Sequence, residues 1–385
     1  MKPLQTLLTA GPVLAALVCA SPALAGDKSA PKSDAAAEAP KLAVPDAARF
    51  QLAARYSAAR KGVSLLVLHK GRRIHEAYAN RGGRDVAWHL ASGTKSFCAA
   101  IALIAEKEGL LELDEPVSKT ITEWTDAARK PITIRELLSL VSGIPSGRGS
   151  LRVTYAESVK RRPDARPNTR FQYGQVPFQI FGELMTRKLE AAGLGKDGIK
   201  SPRDYLEARL FKALELKVER WKTDADGNPM LGHGAHLTAR EWAKFGEWLR
   251  RGGTITKDDK TVALVDRAAL AKCFQPSKAG PAYGLCFWLN RPIPKDADVP
   301  VYQHATLAHP LVPKDVVMAA GAGDQRCYLI PSLELVVVRQ ARGVLMAVFG
   351  RRSGFTDAEL LCRLLRGCDG AGTNLIPSKN GSNSD

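Results

Sequence analysis

Ser92-Gly-Thr-Lys95-Ser-Phe97-Cys-Ala-Ala-Ile101-Ala-Leu-Ile104-Ala-Glu-Lys-Glu-Gly109 sets a hydroxyl and an amine three residues apart at the head of an apolar stretch. Phe97, Ile101 and Ile104 recur at helical spacing and Gly109 stops the pattern, so the segment predicts a helix starting near Ser92. Residues three apart share a helix face, which lets Lys95 reach the Ser92 oxygen. A serine hydroxyl is a poor nucleophile until a base takes its proton. A lysine buried in the first turn has a lowered pKa and can serve as that base. The backbone N–H groups at a helix start can hold a developing oxyanion. The spacing alone is weak, since Ser29-Ala-Pro-Lys32 repeats it in a stretch with no core around it.

On either side of this helix the pattern changes to strands. Upstream, Val63–Leu68 and Ile74–Tyr78 flank a turn at Lys70-Gly71 and read as a β-hairpin. Far downstream, Val316–Ala320, Arg326–Ile330 and Leu335–Val338 read as three more strands, the last two joined tightly through Pro331-Ser332. Asp357–Arg366 then reads as a helix with Leu360, Leu361, Leu364 and Leu365 on one stripe. The middle is mainly helical, with capping-box patterns at Thr133–Glu136 and Thr238–Glu241. The expected fold class is therefore α/β, in the α+β sense. An antiparallel sheet is built from both chain ends and flanked by helices, with a mainly helical region inserted over roughly residues 120–260.

The ends carry different signals. Lys2, the apolar run Leu4–Val18 and the small-x-small pattern Ala23-Leu-Ala25 read as a secretory signal over residues 1–25, with the mature chain starting at Gly26. Bulky Val18 before Cys19 disfavours a lipid anchor. Residues 26–45 and 369–385 are polar, Ala- and Pro-containing or Ser- and Asn-containing stretches, expected as a disordered linker and tail around a folded body at 46–368. The 385 residues carry 56 basic and 39 acidic side chains, a formal charge of +17, and no later window apolar enough for stable membrane insertion. The excess is uneven: seven Lys/Arg from Arg148 to Arg170 stand against Glu157 and Asp164, just before Tyr173. That run reads as solvated surface or as a basic lip attracting anionic substrates. No nucleic-acid-binding module accompanies it, and secretion argues against such a partner. Six cysteines follow the signal, with no Cys-x-x-Cys pair, and read as buried thiols with one or two bridges at most. His233 and His236, like His304 and His309, lack a carboxylate or cysteine set and read as polar loop residues, not zinc ligands. No Gly-x-Ser-x-Gly elbow or phosphate-binding loop occurs.

Further stretches fall in order behind Ser92-Gly-Thr-Lys95: Gly109-Leu-Leu-Glu-Leu-Asp114-Glu-Pro116-Val117, Ile134-Arg-Glu-Leu-Leu138-Ser-Leu-Val-Ser142-Gly143, Phe171-Gln-Tyr173-Gly-Gln175, Leu237-Thr-Ala-Arg-Glu-Trp-Ala-Lys-Phe-Gly246, Tyr283-Gly-Leu-Cys-Phe-Trp288 and Gly321-Ala-Gly-Asp-Gln325. Together they resemble the serine β-lactamase and penicillin-binding-protein superfamily, in its class C-like esterase and 6-aminohexanoate-dimer hydrolase branch, over nearly the whole folded body. The resemblance implies Ser92 as nucleophile, Lys95 as base and Tyr173 as the proton relay to the leaving group, with no metal or organic cofactor. It also implies substrate or oxyanion contacts from Ser92, Gln175, Gly321, Gly323 and Asp324.

Two departures shape the expected substrate. Gln175 stands where the family's Tyr-x-Asn motif has Asn, and Gly321-Ala-Gly323 where its third motif carries a cation and a hydroxyl. The literal matches Tyr78-Ala-Asn80 and Lys278-Ala-Gly280 lie in a hairpin and a Pro-containing loop and read as decoys. The resulting expectation is a periplasmic hydrolase of small esters or amides, anionic ones included, ahead of a D-Ala-D-Ala-type peptidase or a β-lactamase. A non-catalytic sensor on the same fold is the alternative from another class.

Overall fold

The computed structural model describes residues 39–146, 152–299 and 308–377. The signal at 1–25, most of the linker, Arg148, His304 and residues 378–385 lie outside the described residues.

Among the described residues there are eleven strands: β1 Gly62–His69, β2 Arg72–Tyr78, β3 Trp88–His89, β4 Arg220–Trp221, β5 Ala235–Leu237, β6 Thr254–Lys257, β7 Lys260–Ala263, β8 Trp288–Leu289, β9 Val317–Gly321, β10 Gln325–Ile330 and β11 Leu335–Ala341. Six of them form an antiparallel sheet in the order β2-β1-β11-β10-β9-β8, so strands from both chain ends meet at the centre. Leu66 on β1 lies opposite Val338 on β11 and Glu76 on β2. Strands β10 and β11 are buried along their whole length, which explains the apolar runs Cys327–Ile330 and Leu335–Val338 within them. Period-two alternation sends Val336 toward the helix Ala239–Arg250 and Arg339 toward the helix Ala47–Ala59 on the other face. The first of those helices comes close because Gly246 has no side chain; a Cβ there would lie 2.7 Å from Val336 Cγ1.

Three expectations need correction. Helix Ala239–Arg250, placed by sequence in the inserted helical region, covers the large sheet instead. Its periodicity marks an amphipathic helix without saying what it packs on. The insert also contributes β4 and β5 to a small three-stranded sheet, β3-β5-β4, whose β3 comes from ahead of it. The Thr133 box is complete, but Thr238 has only half of one, since Glu241 Oε2 accepts from Lys217 N at 2.7 Å. Finally, structure extends past both expected borders of the body. Ala43 N donates to Leu365 O and Arg366 donates to Pro40 O, while Leu375 N donates back to Gly367 O. All six described cysteines are buried, unbridged thiols. Among the described residues no helix is long and apolar enough to cross a membrane.

Candidate active site

The helix predicted near Ser92 begins as a 3-10 turn, Ala91–Lys95, and continues as α-helix Ser96–Lys107. Ala91 enters the turn with φ +47°, an uncommon left-handed conformation for a residue with a side chain. Neighbouring bonds hold it there. Leu90 N donates to Ala235 O at 2.9 Å, Ala235 N to Thr94 Oγ1 at 3.1 Å, and Thr94 Oγ1 to Ala91 O at 2.8 Å. Gly93 is needed for packing, because a Cβ would come within 2.8 Å of the Trp242 ring. The serine turn is thus clamped to β5 and to the helix that covers the large sheet.

Lys95 is 1% exposed and Ser92 5%. The Lys95 Nζ lies 3.0 Å from Ser92 Oγ, 3.0 Å from Gln175 Oε1 and 2.9 Å from the Gly232 carbonyl. Among the described residues no carboxylate hydrogen-bonds the amine, and burial pulls its pKa down from 10.5 to about 7. Gln175 precedes the helix Val176–Ala191, whose first N–H is capped by Ser146 Oγ at 3.1 Å. Gly232 leaves room for the Gln175 amide, since a Cβ would sit 1.7 Å from its Oε1. The Tyr173 ring centroid is 4.9 Å from Lys95 Nζ, in an aromatic box with Trp288 at 5.1 Å and Tyr283 at 5.9 Å. Backbone fixes the tyrosine as well, with Tyr173 N donating to Asp298 O at 2.8 Å.

The glycine turn divides. A Cβ on Gly321 would lie 2.0 Å from Leu90 O and 3.0 Å from Gly93 N, so this residue lets β9 press against the serine turn. Gly323 and Asp324, expected beside it, engage the following segment instead. A Cβ on Gly323 would meet Val344 N at 2.2 Å, while Asp324 has φ +66°, accepts from Arg339 through its carbonyl and from Ser353 through its carboxylate. A cavity of about 630 Å³ opens there, bordered by Gly321, Asp324, Arg326, Arg351, Arg352 and Phe355.

The structure therefore brings together Ser92, Lys95, Gln175, Tyr173 and Gly321. Tyr78 bonds Glu76, and Asn80 donates to Ala58 O and Gly62 O, structural duties of the first hairpin. Lys278-Ala-Gly280 lies in a loop. Sequence reasoning missed Gly232, whose part is played by a carbonyl; Gly232-His-Gly234 ahead of the Thr238 cap was its only trace. It also took His236 for a loop residue, whereas it is buried on β5.

Comparison with known proteins gives a consistent fold. The model of the family described as Beta-lactamase matches residues 42–342. A penicillin-binding protein homologue from Caulobacter crescentus is similar with TM-score 0.60 and 14% identity, over 86% of this chain and 98% of that one. The structure titled EstCE1, a hydrolase with promiscuous acyltransferase activity, gives TM-score 0.59 and 17% identity over 82% and 96%. A family VIII carboxylesterase gives 0.58 and 16% over 79% and 93%. No curated protein matches the sequence.

Proposed function

This chain belongs to the Beta-lactamase family, a family of hydrolases, and from that premise we propose that it is a secreted serine hydrolase cleaving esters or small amides through an acyl-Ser92 intermediate. The observation that carries the reading is the threefold environment of Lys95 Nζ. A neutral amine has two N–H donors and one lone pair. Gln175 Oε1 and Gly232 O can only accept, so they take both N–H bonds and leave the lone pair facing Ser92 Oγ at 3.0 Å. Neutral Lys95 then accepts the Ser92 proton as the oxygen attacks the substrate carbonyl.

The resulting oxyanion is held by backbone N–H groups, that of Ser92 and one from the turn that Gly321 opens. The proton passes from Lys95, with Tyr173 beside it, to the leaving group. Water then enters along the same route and releases the acid. No metal or organic cofactor takes part in these steps. The signal-like start of the sequence supports secretion, and the carboxylesterase and acyltransferase among the similar structures support ester chemistry.

The substrate class is tested by one comparison. The third motif lacks the cation and hydroxyl that would grip a β-lactam carboxylate, and charged hydrogen bonds of that kind contribute roughly 1.5–3 kcal/mol each. An aryl acetate or butyrate needs only the nucleophile, the base and the oxyanion donors. We expect its kcat/KM to exceed that of a penicillin or cephalosporin by about tenfold or more. The reverse ranking, measured on one purified sample, would contradict the proposed substrate class.

A further inference from the structure

Behind Lys95 lies a group of histidines that the reaction does not use. In the small sheet, His89 on β3 pairs with His236 on β5, and His236 pairs with Arg220 on β4. The three side chains therefore stand at one level across the strands. The two imidazoles stack with centroids 4.5 Å apart and planes 15° apart.

The partners of His236 fix its protonation. Arg220 donates to His236 Nε2 at 3.0 Å, and a guanidinium has no acceptor to offer, so that nitrogen carries the lone pair. The proton is then on Nδ1, which donates to Gly234 O at 3.1 Å. His89 Nε2 donates to His233 O. His236 is neutral in this arrangement, and the one bond that His89 makes fits a neutral ring. Burial is the main force holding both below the ordinary histidine range, with His89 at about 4. The charged groups facing the pair, Arg220 and Lys222, act in the same direction, and the His233 ring is tilted beside His89 at 6.4 Å.

The carbonyls these rings hold follow Gly232 directly. The same short strand bonds the serine turn on its other side, through Ala235 to Leu90 and Thr94. We propose that His89 and His236 are positioning residues: a neutral stacked pair that fixes the 233–234 backbone and so keeps the Gly232 carbonyl on the Lys95 amine. This inference rests on reading Lys95 as the base for Ser92. The Gly232 carbonyl stabilises the ammonium form of Lys95, so loosening it lowers the pKa of Lys95 while misaligning its lone pair.

The test is the second-order rate of Ser92 labelling by a fluorophosphonate from pH 5 to 10, alongside the melting temperature. His89→Phe keeps the stacking ring and loses the bond to His233 O. It should lower the plateau rate by about tenfold and move the acid limb toward lower pH by about one unit, as expected for losing a hydrogen bond to a charged group. His89→Gln, which retains an N–H donor, should restore the wild-type limb. A folded His89→Phe with an unchanged rate and limb overturns the inference alone. A wild type that does not label at Ser92 overturns the functional reading together with it. Should His89→Phe fail to fold, imidazole nitrogen shifts of the wild type decide the matter. Two rings neutral at pH 6, with His236 protonated at Nδ1, support the pair; either ring titrating near pH ~6.5, the unperturbed value, overturns it.

Discussion

Ser92→Ala should lower turnover of an aryl ester by on the order of 10⁴-fold or more and abolish fluorophosphonate labelling, as removal of a serine nucleophile does elsewhere. The expectation follows from what the substitution leaves behind. Lys95 keeps Gln175 and Gly232 as acceptors, the aromatic box around Tyr173 is untouched, and the turn loses one small oxygen that is not among its backbone clamps. The fold should therefore survive with a melting temperature close to wild type, so that lost activity reports lost chemistry. Ser146, also near the site, is engaged elsewhere, its oxygen accepting from the Val176 N–H. Activity within about tenfold of wild type would remove Ser92 from the mechanism, because the oxyanion donors and binding alone account for only a small residue of the rate.

The second large effect is at Lys95. Lys95→Met should lower kcat by about 10²–10⁴-fold, the usual contribution of a general base, and should also raise stability at neutral pH. The sign follows from the direction of its shift. Its pKa is about 7 folded against 10.5 unfolded. Between those values the unfolded chain binds the extra proton, so folded stability rises with pH through this window. At pH 7 and below the buried amine imposes nearly its full cost, on the order of 4 kcal/mol. Removing it strands the acceptors on Gln175 and Gly232, which offsets part of the gain. We expect a net rise in melting temperature of about 3 °C or more at pH 7, shrinking toward pH 10. Wild-type activity should fall about tenfold per pH unit below pH 7 as the base is protonated. Thermal unfolding and pH–rate profiles of both proteins check these outcomes together; a less stable Lys95→Met at every pH would mean that the buried amine is not the strained group described here.

The sheet was legible because its central strands are covered on both faces and read as largely apolar runs, Val63–Leu68 with only Ser64 polar and Leu335–Val338 wholly apolar. Local spacing likewise placed Ser92 and Lys95 on one turn. What local spacing could not show is non-local. The helix Ala239–Arg250 reads the same whether it packs in an insert or on a sheet, and only the approach of Gly246 to Val336 decides between them. Gly232 enters the site as a backbone carbonyl, which no residue type announces. Gly323 and Asp324 stand next to Gly321 in the chain, yet the hairpin turn carries them toward Val344 and Ser353. The histidine pair depends on a strand pairing across 147 positions, since His89 and His236 meet only when β3 and β5 align. At both ends, polar composition suggested disorder at positions that backbone hydrogen bonds tie to the helix Asp357–Leu365 and its exit.

The most direct measurement is intact-protein mass spectrometry of enzyme quenched during turnover of a slowly hydrolysed aryl butyrate, followed by peptide mapping. A covalent route predicts a population heavier by one butyryl group, carried on the peptide containing Ser92, that forms during turnover and decays at the rate of product release once substrate is exhausted. The account is contradicted by an adduct on another serine, by turnover with no adduct, or by an adduct that forms once and never leaves, as a sensor would give.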